Sequence, residues 1–187
     1  MKIYTKSGDS GMTGLYGDQR VLKWSDRIDL IGEVDELNSA IGVGRSASTF
    51  LNGEHISEVD DMCHSIQSKL FYIGAVIASV DKTKVSAIAP QDISHLESYI
   101  DQLDELLPEL RTFILPMGTL AASSFFQARA IARRCERKAY KVLSSEGEGV
   151  VPIEVAMYLN RLSDLLFMMA RVCNLDTNNE HQWVPET

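Results

Sequence analysis

Apolar residues recur at intervals of three and four from about residue 26 to residue 174, the spacing of one buried face of an α-helix. The first run follows Asp26, read as an N-cap, and carries Ile28, Ile31, Val34, Leu37 and Ile41. The second spans about Ile56 to Val80, with Val59, Met62, Ile66, Leu70, Ile73 and Ile77 on one stripe. A polar connection from Asp81 to Pro90 leads to a third helix from about Asp92, with Ile93, Leu96, Ile100, Leu103 and Leu107, which ends near Pro108. A fourth is predicted after Pro116-Met117-Gly118, with Thr119 as N-cap, reaching about Leu143. Glycines in the stretch from Ser144 to Gly149 break it, and Pro152 suits the first turn of a fifth. That last helix carries Val155, Leu159, Leu162, Leu166 and Met169 and stops near Asn174.

No alternating strand pattern or hairpin dipeptide punctuates the chain. The expected fold is all-α: a five-helix bundle of ferritin-like bundle architecture, preceded by a glycine-rich N-terminal arm. One domain over residues 1–187 is expected, divided into an arm (1–25), a helical bundle (26–174) and a polar tail (175–187).

Charge and composition remove several alternatives. A formal net charge of -8 argues against a general nucleic-acid binder. The best apolar run, Leu70 to Val80, covers about half of the roughly 20 residues a membrane-spanning helix needs. The stretch Met1 to Lys6 lacks the apolar core of a secretory signal. Cys63, Cys135 and Cys173 are odd in number and far apart, which points to buried free thiols in a reducing cytoplasm. His55, His64, His95 and His181 form no ligand pair, and without a Glu-x-x-His motif a di-iron carboxylate site is disfavoured. No serine or cysteine has recognisable triad company, so covalent catalysis is unsupported.

Three segments could carry chemistry. In the arm, Gly8, Gly11, Gly14 and Gly17 recur every third residue, so that backbone N–H groups can converge on phosphate oxygens. Lys6 adds a point charge there, and Thr5, Ser7 and Thr13 supply hydroxyls. The pattern is neither a Walker A loop nor Gly-x-Gly-x-x-Gly, and a flexible arm with ordinary turn glycines is the plainer reading. On the fourth helix, Phe125, Ala128, Ala132, Cys135 and Ala139 form an apolar stripe with Arg129, Arg133, Glu136 and Tyr140 along its edge. Arg134, Lys138 and Lys141 point further round, towards solvent. Arginines at a core boundary call for an anion, either a carboxylate of this protein or a polyphosphate that the planar guanidinium fork suits. Finally, Asp35 and Asn38, and Asn160 and Asp164, stand one turn apart on helices one and five; such groups can hydrogen-bond a base or ribose edge, but on spacing alone bonding to a neighbouring helix is the plainer reading.

Four ordered blocks, taken together, resemble the PduO-type cob(I)alamin adenosyltransferase family. They are Thr5-Lys6-Ser7-Gly8-Asp9; Gly32-Glu33-Val34-Asp35-Glu36-Leu37-Asn38; Phe113-Ile114-Leu115-Pro116 leading into Arg129 to Arg137; and Tyr158-Leu159-Asn160-Arg161-Leu162-Ser163-Asp164. Two departures stand out: Met117 replaces a second small residue after Leu115-Pro116, and a histidine early in helix four is replaced within Ser124-Phe125-Phe126.

The resemblance implies a homotrimer with active sites between subunits, substrates ATP and cob(I)alamin, and Mg²⁺ arriving with ATP rather than on a protein metal site. It places Thr5, Lys6, Ser7, Gly8, Thr13 and Gly14 around the phosphates, with Lys23, Arg133, Arg134, Glu136, Arg137 and Asn160 completing the nucleotide site. Asp35 would pair with Arg129 across the interface, Arg133 and Lys6 would carry the catalytic charge, and Phe113 would exclude the lower cobalt ligand. On spacing alone a phenylalanine before Ile-Leu-Pro reads as plain core. A flavin-type reductase and a B12-dependent acceptor enzyme are the implied partners, with neither nucleic acid nor membrane. Two other classes are compatible with the same residues: a non-catalytic nucleotide-sensing or cofactor-escort protein on the same fold, and a purely structural helical assembly with a salt-bridged interface. Trp183, an aromatic in an otherwise polar tail, suggests a closing lid.

Overall fold

The computed structural model describes residues 3–185 except 5, 54, 82, 84, 86, 87 and 178. Two short strands, β1 (Met12–Gly14) and β2 (Arg20–Leu22), precede five helices: α1 (Asp26–Ser48), α2 (Ile56–Ala78), α3 (Pro90–Asp104), α4 (Leu120–Glu146) and α5 (Ile153–Leu175). The five-helix bundle matches the sequence expectation, with three local corrections. Ser25, not Asp26, occupies the first N-cap, and Asp26 lies in the opening turn, where a carboxylate suits the helix dipole. Pro152 sits at the cap of α5 rather than inside its first turn. The first helix also runs on past Ile41 to Ser48, through two glycines that would ordinarily weaken it. Packing explains that extension: a Cβ on Gly44 would lie 2.7 Å from the Phe125 ring, so glycine there lets α1 and α4 close on each other.

The arm departs from the expectation of no strand. β1 and β2 pair antiparallel, Met12 with Leu22 and Gly14 with Arg20. Strands of three residues are too short for alternation to register in a sequence. Their partners are set by contacts elsewhere: the Arg20 guanidinium donates to the carbonyls of Ser7 (2.6 Å) and Met12 (3.0 Å). Tyr16 then docks the hairpin onto the end of α2 through backbone bonds with Ala78 and Val80, both 2.9 Å. Arg27, buried beside it, donates to the carbonyls of Ile77 (2.7 Å) and Ser79 (2.8 Å), satisfying acceptors that the end of α2 leaves open.

Within the bundle α4 packs against both α1 and α5, α2 against α1, and α3 against α5. Most of the core comes from the predicted stripes: Leu37 and Ile41 of α1, Ile66 and Ile73 of α2, Phe125 and Ala132 of α4, and Leu159 and Leu162 of α5 are all sealed from solvent. On α1 the buried face is turned slightly from the one expected, so that Leu30 is sealed while Ile28 and Ile31 are only half-buried. Ion pairs lace the outside, Arg45 with Asp60, Lys69 with Asp92 and Arg161 with Glu97. Partly exposed pairs of this kind contribute about 0–1 kcal/mol each. Among the described residues, no helix is long and apolar enough to cross a membrane.

Candidate active site

Helix four separates its cations into two populations. Arg134, Lys138 and Lys141, expected to face solvent, face α1 instead. Arg134 is shared between Glu33 and Glu36, Lys138 between Asp29 and Glu33 (2.7 Å to the latter), and Lys141 reaches Asp26 at 2.6 Å. This ladder fixes α1 and α4 antiparallel, and Glu33 is its hub. Burial alone would raise the Glu33 carboxyl, but the hydrogen bonds and charges of Lys138 and Arg134 outweigh it and hold the group below its usual range. Arg134 is thus neutralised within the subunit, which separates it from the other arginines grouped with it on sequence grounds.

Arg133 and Arg137, one turn apart, form the second population. Both are exposed, and Arg137 Nη1 donates to the Arg133 carbonyl at 2.9 Å. Among the described residues, neither guanidinium has a carboxylate partner. On a chain of net charge -8, two outward arginines left unneutralised beside a saturated ladder form an anion-accepting edge. Glu136 is half-buried between them, and Asn160 stands exposed on α5 rather than in the core.

The arm gathers a second set of donors. Two successive turns, Asp9 N to Lys6 O and Gly11 N to Gly8 O (3.3 Å each), curl residues 6–11, with Lys6 in the left-handed region at φ 60°. Among the described residues, the N–H groups of Gly8 and Ser10 have no acceptor. The Lys23 ammonium lies over Gly8, where an added Cβ would come within 3.0 Å of Nζ, so Lys6, Ser7, Gly8 and Lys23 form one cationic, amide-rich curl. Thr13 is half-buried in β1 and Gly14 exposed at its end. Thr5 lies outside the described residues.

Asp35 and Asn38 border a groove of about 700 Å³ between α1 and α2, whose walls include Tyr16, Gly32, Phe71 and Tyr72. Asn38 is buried and bonded to Gln67, whereas Asp35 is exposed with no ion pair among the described residues. Arg129 lies over the Phe167 ring, 5.5 Å from its centroid, and does not meet Asp35 within one subunit.

Phe113 is not core: its side chain is 80% exposed, which overturns the spacing argument. It stands edge-on to Trp183, with ring centroids 6.4 Å apart, and both line a mainly apolar cavity of about 430 Å³ with Leu110, Thr112 and Pro185. The tail therefore lies against the Phe113 segment, bonded through Leu115 N to His181 O (2.8 Å) and Trp183 N to Phe113 O (2.7 Å).

Sequence reasoning missed Arg20, Arg27, Arg171 and Asn174, which shape these regions. The available signal was a polar side chain inside an apolar run, as in Met168-Met169-Ala170-Arg171-Val172-Cys173-Asn174.

Fold and site together define a helical-bundle protein with an anion-accepting arm and arginine edge, and with an exposed aromatic pair over an apolar cavity. A family model described as cobalamin adenosyltransferase matches residues 3–173. The chain is 41% identical to the corrinoid adenosyltransferase of Bacillus subtilis over 175 residues, covering 93% of this chain and 87% of that protein. It is 37% identical to the corrinoid adenosyltransferase of Mycobacterium leprae over 191 residues, covering 98% and 96% respectively. In three dimensions it resembles a PduO-type ATP:corrinoid adenosyltransferase from Lactobacillus reuteri, a histidine-for-phenylalanine variant complexed with cobalamin and ATP. The TM-score is 0.86 and the identity 34%, over 100% of this chain and 98% of that one. The chain belongs to the cobalamin adenosyltransferase family.

Proposed function

We propose that the protein is an ATP:cob(I)alamin adenosyltransferase, moving the 5′-deoxyadenosyl group of ATP to the cobalt of reduced cobalamin and releasing triphosphate. One observation carries this reading: α1 carboxylates neutralise Arg134, Lys138 and Lys141, while Arg133 and Arg137 are left for an anion from outside the chain.

The nucleophile is the substrate's cobalt. Cob(I)alamin donates an electron pair to the 5′ carbon of ATP, the cobalt–carbon bond forms, the bond from that carbon to the phosphate oxygen breaks, and triphosphate leaves with both electrons. The protein aligns the two substrates and stabilises charge on the leaving group. Lys6, Lys23 and the amides near Gly8 hold the phosphates from the arm; Arg133 and Arg137 hold them from α4, with Ser7, Thr13, Gly14, Glu136 and Asn160 completing the nucleotide site. Mg²⁺ bound to the incoming ATP would add positive charge on the triphosphate. Arg134 contributes by fixing α4 rather than by touching the nucleotide.

The active unit is a homotrimer with its sites between subunits. Asp35 and Arg129 support this, because neither has a carboxylate–arginine partner among the described residues. Phe113 shields the lower face of cobalt, which lowers the energy of the orbital that accepts an electron on going from Co(II) to Co(I). A flavin-type reductase supplies that electron, and a B12-dependent enzyme takes the product. The cytoplasm is the setting, in keeping with three buried free thiols.

The test is anaerobic: protein, Mg²⁺-ATP and chemically reduced cobalamin, followed by visible absorption. Light-sensitive adenosylcobalamin forming only with protein and ATP is the expected result. A spectral shift of Co(II) cobalamin without product would overturn the reading in favour of an escort protein.

A further inference from the structure

A ring that is 80% exposed is not held in place by packing, so the position of Phe113 must come from its backbone. That backbone is an arch with both feet on one turn of α5. Before Phe113, Arg171 Nη2 donates to the Pro108 carbonyl at 2.8 Å. After it, Asn174 Nδ2 donates to the Met117 carbonyl at 3.0 Å, and Asn174 Oδ1 accepts from Thr119 N at 2.9 Å. Three residues apart, the two side chains leave α5 on the same face. Arg171 is 3% exposed and Asn174 1%.

The same guanidinium also holds the tail. Arg171 Nε and Nη2 reach the Glu180 carboxylate at 2.8 and 3.3 Å. From Glu180 the tail runs directly into its pairing with the arch, where His181 accepts from Leu115 and Trp183 donates to Phe113. Arg171 thus touches both segments that flank Phe113 and does not touch Phe113 itself. A buried arginine is costly to desolvate, and a methionine would fill the same space more cheaply. What methionine could not do is join the arch and the tail through one planar fork.

We propose that Arg171 is a positioning residue for Phe113, holding arch and tail in register so that the ring stands at a fixed height on the cobalt side of the site. This rests on the adenosyltransferase reading above. The chemistry it controls is electron acceptance by Co(II), where the lower ligand must be displaced. Attack by Co(I), which carries no lower ligand, depends on it less.

The experiment compares wild type, Arg171→Met, Arg171→Lys and Glu180→Gln by two routes. One starts from Co(II) cobalamin with a reduced flavin as electron donor, the other from cobalamin already reduced to Co(I). For Arg171→Met the Co(II) route is expected to fall about tenfold more than the Co(I) route, a differential barrier of about 1.4 kcal/mol. The visible signature of four-coordinate Co(II) should weaken in parallel, and Arg171→Lys should restore part of both. Equal losses by the two routes, or no loss, would overturn the positioning role. Should Arg171→Met lose its helical circular dichroism, Glu180→Gln, which frees the tail and leaves the Pro108 bond, decides by the same ratio. A wild type inactive even from Co(I) would overturn the enzymatic reading itself and this proposal with it.

Discussion

Arg133 and Arg134 are consecutive on α4 and have opposite environments: Arg134 divides its guanidinium between Glu33 and Glu36 of α1, while Arg133 projects outward with no carboxylate among the described residues. A helical step of about 100° produces the difference. One arginine is used to build the fold, and its neighbour is free to meet a ligand.

Arg133→Ala should therefore separate activity from stability. Its kcat/KM for ATP is expected to fall on the order of 10²–10³-fold, the loss typical of removing one donor to a developing charge. The melting temperature without ligand should barely move, since an exposed side chain outside any network is worth about 0.5 kcal/mol or less. Steady-state kinetics alongside thermal melts check both; a large drop in melting temperature would place Arg133 in the fold instead.

Glu33→Gln should reshape the acid limb of stability. A carboxyl held below its unfolded value of 4.5 adds stability that is fully present above that pH and is lost as pH falls through the lower folded value. Asp60, held low by its hydrogen bond to Arg45, acts in the same direction. Wild type should lose stability progressively below about pH 4.5, and Glu33→Gln should start lower at neutral pH with a shallower acid slope. Melting temperatures from pH 3 to 7, roughly the span over which carboxyls titrate, measure this.

The three cysteines should be inert in the native protein. Burial pushes the Cys135 and Cys173 thiols up to about 12 and raises Cys63 further, so little thiolate exists at neutral pH. A colorimetric thiol reagent should label none of them rapidly until denaturant is added, when all three react. Fast labelling of a folded sample would refute the burial argument.

Gly118→Ala should damage both stability and the arch. Gly118 has φ 130°, and an added Cβ would lie 2.1 Å from Asn174 Oδ1. Backbone strain together with loss of the Asn174 bonds is expected to cost about 2 kcal/mol, a drop of about 4–8 °C for a chain of this length. Calorimetry measures the cost, and an unchanged melting temperature would mean that the loop relaxes freely.

A mass-action test applies to the nucleotide site. Mg²⁺-ATP at a hundred times its dissociation constant should stabilise the folded chain by about 2.7 kcal/mol. That shift should vanish in Arg133→Ala, and a wild-type melting temperature insensitive to Mg²⁺-ATP would favour a structural assembly.

The sequence by itself determined the five helices, because periodicity and capping act over a few residues. Thr119 caps α4 as its position implied, accepting from Ala122 N at 3.1 Å, and the stripe from Phe125 to Ala139 is buried throughout. The four ordered blocks made the family legible as well. Only the tertiary structure decided where charge and exposure fall. Arg134 finds Glu33 across 101 residues, Arg171 reaches back 63 residues to Pro108, and Phe113 stands exposed because its backbone is pinned while its ring is not. The arm became a hairpin through Arg20 and through docking on α2. A side chain's apolar or polar character is local, but the group that neutralises or buries it is brought in from elsewhere in the chain, and no spacing rule encodes that encounter.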